Sequence, residues 1–160
     1  MATSIREAGP EDAQLVASFI VELATYERLL AETHPSVEAL QRDLAAQTTP
    51  RLYCLIAETE GVPVGFAAYY LAYSTNRTSW ALHLQDIFVR EAHRKAGVGS
   101  ALFKKLVEAA VTHKCDSIEL EVLRWNDESR GFYEHMGMVA NDETVKLYLE
   151  GEALKKFSRS

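Results

Sequence analysis

The alternation of apolar and polar residues divides the chain into short elements. Ser4 to Ala8 reads as a first, edge strand. After it, Gly9-Pro10-Glu11-Asp12 puts proline and two acids in the first turn of a helix, where no N–H is missed and the helix dipole favours negative charge. Leu15, Val16, Phe19, Ile20, Leu23 and Tyr26 recur at helical spacing, which carries this helix to about Leu30 with Glu27 one residue beyond the stripe. A loop bearing His34-Pro35 follows. Ser36 then caps a second helix carrying Val37, Leu40 and Leu44. Leu52 to Thr59 and Val64 to Tyr73 are apolar, β-branched or aromatic and flank Glu60-Gly61-Val62-Pro63, the pattern of a hairpin.

Past a polar loop, Ser74 to Ser79, the run Trp80 to Val89 reads as a third antiparallel strand. Leu102, Phe103, Leu106, Val107, Ala110 and Val111 stripe the run Ser100 to Thr112 and predict a helix that begins near Gly97. Ser117 to Val122 reads as a further strand, Asp127 to Met136 as a helix, Val145 to Leu149 as a last strand and Glu152 to Phe157 as a short helix. Three consecutive antiparallel strands ahead of the glycine-bearing turn exclude a doubly wound fold. The expected class is α/β in the mixed, α+β sense: a central, mainly antiparallel sheet flanked by helices.

The chain has 160 residues, 48% of them hydrophobic, enough for one domain over 1–160 with a full core. A net charge of -6 argues against a nucleic-acid surface, which needs clustered Lys and Arg, and suits cationic substrates. Cys54 and Cys115 show no paired or metal-ligand spacing, and His93, His113 and His135 are expected to be solvated, so no metal is expected. Neither a signal core nor an apolar run of membrane length is visible, and the expectation is a soluble, reduced, cytoplasmic protein without membrane or nucleic-acid partners.

The chemistry concentrates at Arg94-Lys95-Ala96-Gly97-Val98-Gly99-Ser100, between the third strand and the striped helix. Two glycines allow close approach to the main chain, the N–H groups of a helix start favour a diphosphate, and two cations stand beside them. A Walker loop is excluded because no G-K-[ST] follows. A dinucleotide fingerprint is excluded because Leu102 stands where its third glycine or alanine belongs. On these residues alone, a tight turn with solvated cations and an anion site both remain open.

The motif R-x-x-G-x-G/A here resembles the strand-to-helix junction of the acetyl-CoA-dependent N-acetyltransferase (GNAT) superfamily. Val122-Leu123-Arg124-Trp125-Asn126 and Phe132-Tyr133-Glu134-His135-Met136-Gly137-Met138 are similar to its second signature. Glu22 to Glu27, Val64 to Tyr70 and Leu84 to Val89 are similar to its spermidine/spermine and thialysine branch, commonly homodimeric. The resemblance implies main-chain N–H groups of Ile87, Phe88 and Val89 on the pantetheine, residues Arg94 through Ser100 on the pyrophosphate, and Asn126, Asp127, Glu128, Ser129 and Tyr133 along the cofactor arm. Tyr133 is implied as the proton donor to the departing thiolate.

On the acceptor side the resemblance implies Tyr26, Glu27, Gln85, Asp86, Glu119, Glu121 and Glu143. Read as residues alone, Tyr26 is a core aromatic and Glu27 a surface charge. The branch reads Leu-Glu-Asp where this chain has Leu84-Gln85-Asp86, so its favoured base is replaced by an amide. Gln85 can orient a water, and deprotonation falls to solvent, to Asp86 or to His83. Asp86 belongs on the face opposite Gln85 unless a bulge intervenes. The implied activity is acetylation of a small primary amine, a diamine, polyamine or thialysine-like amino acid. A protein lysine or N-terminal acetyltransferase and a weakly active acetyl-CoA-binding module are the alternatives.

Overall fold

A computed structural model describes residues 2–48 and 51–159, which pack as two compact units, one ending at Glu121 and one starting at Val122. The first holds a five-stranded sheet: β1 (Thr3–Glu7), β2 (Tyr53–Thr59), β3 (Val62–Ser74), β4 (Ser79–Val89) and β5 (Cys115–Leu120), in that spatial order. β1 to β4 pair antiparallel and β4 pairs with β5 in parallel. A parallel pair needs a crossover, and α3 (Val98–Thr112) supplies it. Helices α1 (Ala13–Glu27) and α2 (Val37–Ala45) lie between β1 and β2 in the chain, α2 opening where the Ser36 hydroxyl accepts the Ala39 N–H at 3.2 Å. The expected mixed, mainly antiparallel sheet with flanking helices is the observed architecture.

Alternation along the strands decides what each helix covers. Cys54, Phe66, Ala68 and Phe88 share a face and pack with Val16, Phe19 and Leu23 of α1 and Leu44 of α2. Phe19 is fully buried, stacks on Phe66 at 5.3 Å between ring centres and meets Phe88 edge-on at 6.4 Å. Leu55, Ala67 and Tyr69 alternate to the other face. Tyr53, with the same alternation, meets His113 at the end of α3 at 5.1 Å between rings.

Several sequence expectations change on the structure. The first helix does not run from Pro10 to Leu30: Pro10–Asp12 is a tight turn, α1 ends at Glu27, and Arg28 closes it in the left-handed region at φ 62°. Asp12 is drawn out of a regular first turn because Arg6 grips both its oxygens at 2.9 Å and the Gly9 N–H donates to it at 2.9 Å. Val107 and Val111 leave the predicted stripe of α3 and are 42% and 72% exposed, since the helix seats itself on Val98, Leu102, Phe103, Leu106 and Ala110. Val62 and Pro63 belong to β3, which leaves Glu60-Gly61 as the turn. His113 is half-buried against Tyr53, not solvated.

In the second unit, α4 (Asp127–His135) and α5 (Gly151–Ser158) form, but Val145 to Leu149 is no strand. Val145, Leu147 and Leu149 alternate as a strand would, yet are 84%, 88% and 53% exposed. β propensity expresses itself only where a partner ladder takes the main-chain groups, and among the described residues none pairs with this run.

Candidate active site

Strand β4 carries the first half of the site, and its irregularity sets the geometry. Ala68 of β3 pairs with Asp86 and Tyr69 pairs with Leu84, so Gln85 is an extra residue, a bulge with no partner of its own. The bulge reverses the sidedness of the strand. Leu84 shares the face of Tyr69, whereas Asp86, two residues on, shares the face of Ala68 and points toward α1. Pairing with β5 ends at Leu84 and Leu120. From Gln85 to Val89, therefore, no strand among the described residues pairs with the edge of β4 away from β3, and apart from the Val89 carbonyl, which Arg94 takes, its outward main-chain groups suit an amide-bearing ligand. The Phe88 side chain is core, which leaves only its main chain for such a role.

The turn after β4 carries the second half. Lys95 and Gly97 both adopt left-handed backbone, at φ 61° and 83°; at Gly97 a Cβ would meet nothing within 4 Å, so the space over this turn is open. Gly97 precedes α3 as its cap residue and no side chain caps the helix, whose first amides, on Val98, Gly99 and Ser100, have no intrahelical acceptor. With fifteen residues of aligned dipole behind them, those N–H groups suit an anion. Lys95, Ala96 and Ser100 are exposed beside them, Gly99 is half-buried, and the Val98 side chain is buried in the core.

Arg94, expected on the pyrophosphate, makes its contacts within the chain at the end of β4. Its Nε donates to the Val89 carbonyl at 2.8 Å and its guanidinium lies 4.8 Å over the ring of Tyr26 and 5.6 Å from that of Phe88. Arg90 makes a companion latch that the sequence did not suggest. It holds both oxygens of Glu22 at 2.8 and 3.0 Å, donates to the Pro63 carbonyl at 2.8 Å, and covers Phe19 at 4.8 Å. Glu22 and Tyr26 are one helical turn apart on α1, so the two arginines fasten the end of that helix to the end of β4. No local pattern announces a contact across 68 positions.

That fastening brings two predicted acceptor residues together. Burial pushes the Asp86 carboxyl up to about 6. Glu27 is raised as well, first by burial and then by the Asp86 charge. Beneath them Cys54 is no nucleophile, since burial, Asp86 and Asp12 push its thiol up to about 12. Gln85 is exposed at the bulge. Glu119 stands on β5 opposite His83, with an oxygen 3.5 Å from Nδ1, and Glu121 is exposed just beyond that strand.

The second unit holds the remaining candidates. Asn126 caps α4, its side-chain oxygen accepting the Ser129 N–H at 3.2 Å, and Asn126, Ser129 and Tyr133 fall on one stripe at i, i+3, i+7. Asp127 and Glu128, expected along the cofactor arm, sit outside that stripe and are exposed; Asp127 pairs with Arg130. α4 ends where Gly137, at φ 93°, lets its own N–H reach the Glu134 carbonyl at 2.9 Å and that of Met138 reach Tyr133 at 3.0 Å. The Tyr-x-x-x-Gly spacing is thus the length needed to close the helix after Tyr133. Glu143 is exposed in irregular chain. Among the described residues no cluster suits a metal ion, and no helix is long and apolar enough to cross a membrane.

An open strand edge leading into an uncapped helix start is suited to a chain of amides that ends in phosphates. Residues 19–138 match the acetyltransferase (GNAT) family. Over 168 aligned positions, 96% of each chain, the protein is 34% identical to the thialysine N-epsilon-acetyltransferase of Bos taurus. It is 33% identical to the spermidine/spermine N(1)-acetyltransferase-like protein 1 of Homo sapiens over 83% of this chain and 20% of that longer one. Among solved structures, an integron cassette protein from the mobile metagenome of V. cholerae superposes with a TM-score of 0.79 at 23% identity, covering 100% of this chain and 99% of the other. The chain belongs to the acetyltransferase (GNAT) family, whose members use acetyl-CoA as co-substrate.

Proposed function

We propose that the chain acetylates a primary amine of a small cationic molecule, a diamine, polyamine or thialysine-like amino acid, as one acetyltransferase domain over residues 1–160. The observation that carries this reading is the bulge at Gln85, which turns Asp86 to the α1 face beside Glu27. Two partly buried carboxylates that pair with no cation among the described residues attract an ammonium ion, and that ion would repay the burial that now raises them. The names of the Bos taurus and Homo sapiens relatives point to amines of this kind.

Acetyl-CoA supplies the acetyl group as a thioester. The residues present fit it: the main chain of Ile87, Phe88 and Val89, on the edge of β4 that β5 does not pair, suits the pantetheine amides, and the amides of Val98, Gly99 and Ser100, with Lys95 beside them, suit the pyrophosphate. The signature resemblance supports Asn126 on the cofactor arm and Tyr133 as donor to the leaving thiolate. The branch resemblance also supports a homodimer, and the two free cysteines support a reducing, cytoplasmic setting.

Glu27→Gln with Asp86→Asn tests the reading. KM for amines should rise at least tenfold while the affinity for CoA, read by calorimetry, stays within twofold. Unchanged KM would remove the carboxylates from the acceptor site.

A further inference from the structure

His83, Tyr70 and Glu119 form one row across three strands: His83 pairs with Tyr70 on β3 and with Glu119 on β5. The imidazole stacks on the Tyr70 ring at 4.6 Å and 28°, and its Nδ1 lies 3.5 Å from a Glu119 oxygen. The side chain of His83 is 12% exposed, between Tyr70, which is 39% exposed, and Glu119, whose side chain is 51% exposed, so the row reaches water on either side of the imidazole. In a regular strand His83 and Asp86, an odd number of residues apart, would face opposite ways. The extra residue at Gln85 puts both on the α1 face, their β3 partners Tyr70 and Ala68 being two residues apart. That spacing is about 7 Å along the strand.

We propose that His83, oriented by Glu119 and Tyr70, takes the proton from the acceptor ammonium bound at Asp86 and Glu27. This rests on the amine-acetylating reading above. The two carboxylates hold an ammonium but, being negative, also hold its proton on it; an imidazole at the next row completes the chemistry. An N–H bond of the ammonium breaks, its electron pair stays on the nitrogen as the nucleophile, and a new N–H bond forms on Nε2 of His83. The imidazolium charge is balanced by Glu119 at Nδ1, and the proton leaves to water along the exposed end of the row. The titratable groups facing His83 are Tyr70 from β3, Glu119 from β5, Asp86 from its own strand and, beyond Asp86, Glu27 of α1.

The test is the pH profile of kcat/KM for acetyl transfer to an amine the intact protein accepts, for wild type, His83→Gln and Glu119→Gln. His83→Gln should lower kcat/KM by about 10²-fold at pH 7, and the deficit should shrink as pH rises toward the amine's own pKa, because the substrate then arrives neutral. Glu119→Gln, on the edge strand and half exposed, should show the same trend with a smaller deficit, and it decides the matter if His83→Gln does not fold. Deficits equal at every pH, or none, overturn the proposal while leaving the amine reading intact. A wild type that acetylates no amine overturns both.

Discussion

Replacing Asp86 by asparagine should stabilise the protein at neutral pH while weakening its grip on amines. Asp86 rises from an ordinary 3.8 to about 6 because burial penalises its charged form. At 1.36 kcal/mol per pH unit that rise is worth about 3 kcal/mol, and roughly half as much once solvent reaching this partly exposed side chain is allowed for. The sign follows from the protons. Below about pH 4 the carboxyl is protonated folded and unfolded, so the penalty vanishes. As pH climbs through about 6 the folded protein must give up a proton that the unfolded chain lost earlier, and stability falls. The neutral amide avoids this, and it also relieves Glu27 of the charge that raises it. For a chain of this size the variant should melt roughly 3–10 °C above wild type at pH 7.5. The gap should close between pH 6 and 4 in calorimetric scans. A variant less stable at pH 7.5, or a gap independent of pH, would refute the placement of Asp86 in a poorly solvated pocket.

Acetyl-CoA should raise the melting temperature, by about 2.7 kcal/mol of linkage at a hundredfold excess over Kd, and Gly99→Trp should abolish the rise by filling the start of α3. Tyr133→Phe should keep that rise but lower kcat in steady-state assays, since it removes a donor needed as the thiolate leaves; wild-type turnover would return Tyr133 to a packing role. Phe19→Ala, which empties the centre of the α1 cluster and removes the surface under Arg90, should lower stability by about 3–5 kcal/mol in urea titration.

Where periodicity is strong, the fold was legible in the sequence. The buried stripes of α1 and α3, the Ser36 cap and the β2–β3 hairpin all follow from spacing and residue type. The bulge was not, because Gln85-Asp86 looks like any polar pair in a strand and only the partner's register shows that one residue is supernumerary. It decides which way Asp86 points, so the acceptor side of the site was readable as a set of carboxylates but not as an arrangement. The direction of Arg94 was hidden for a similar reason. The aromatic ring it covers, Tyr26, lies far away in the chain, and a motif cannot say whether its cation faces the turn or folds back on a helix. Val145 to Leu149 failed in the opposite sense: the alternation is present, but a ladder needs a partner that the pattern cannot supply.

On the proposed function, this acetyltransferase delivers acetyl groups to small cationic amines. Incubating the intact protein with acetyl-CoA and a panel of diamines, polyamines, thialysine, ornithine and lysine-bearing peptides, with CoA release followed as free thiol and products weighed by mass spectrometry, tests it most directly. Mono-acetylated small amines with matching thiol release are expected. Acetylated peptides with untouched small amines would contradict it.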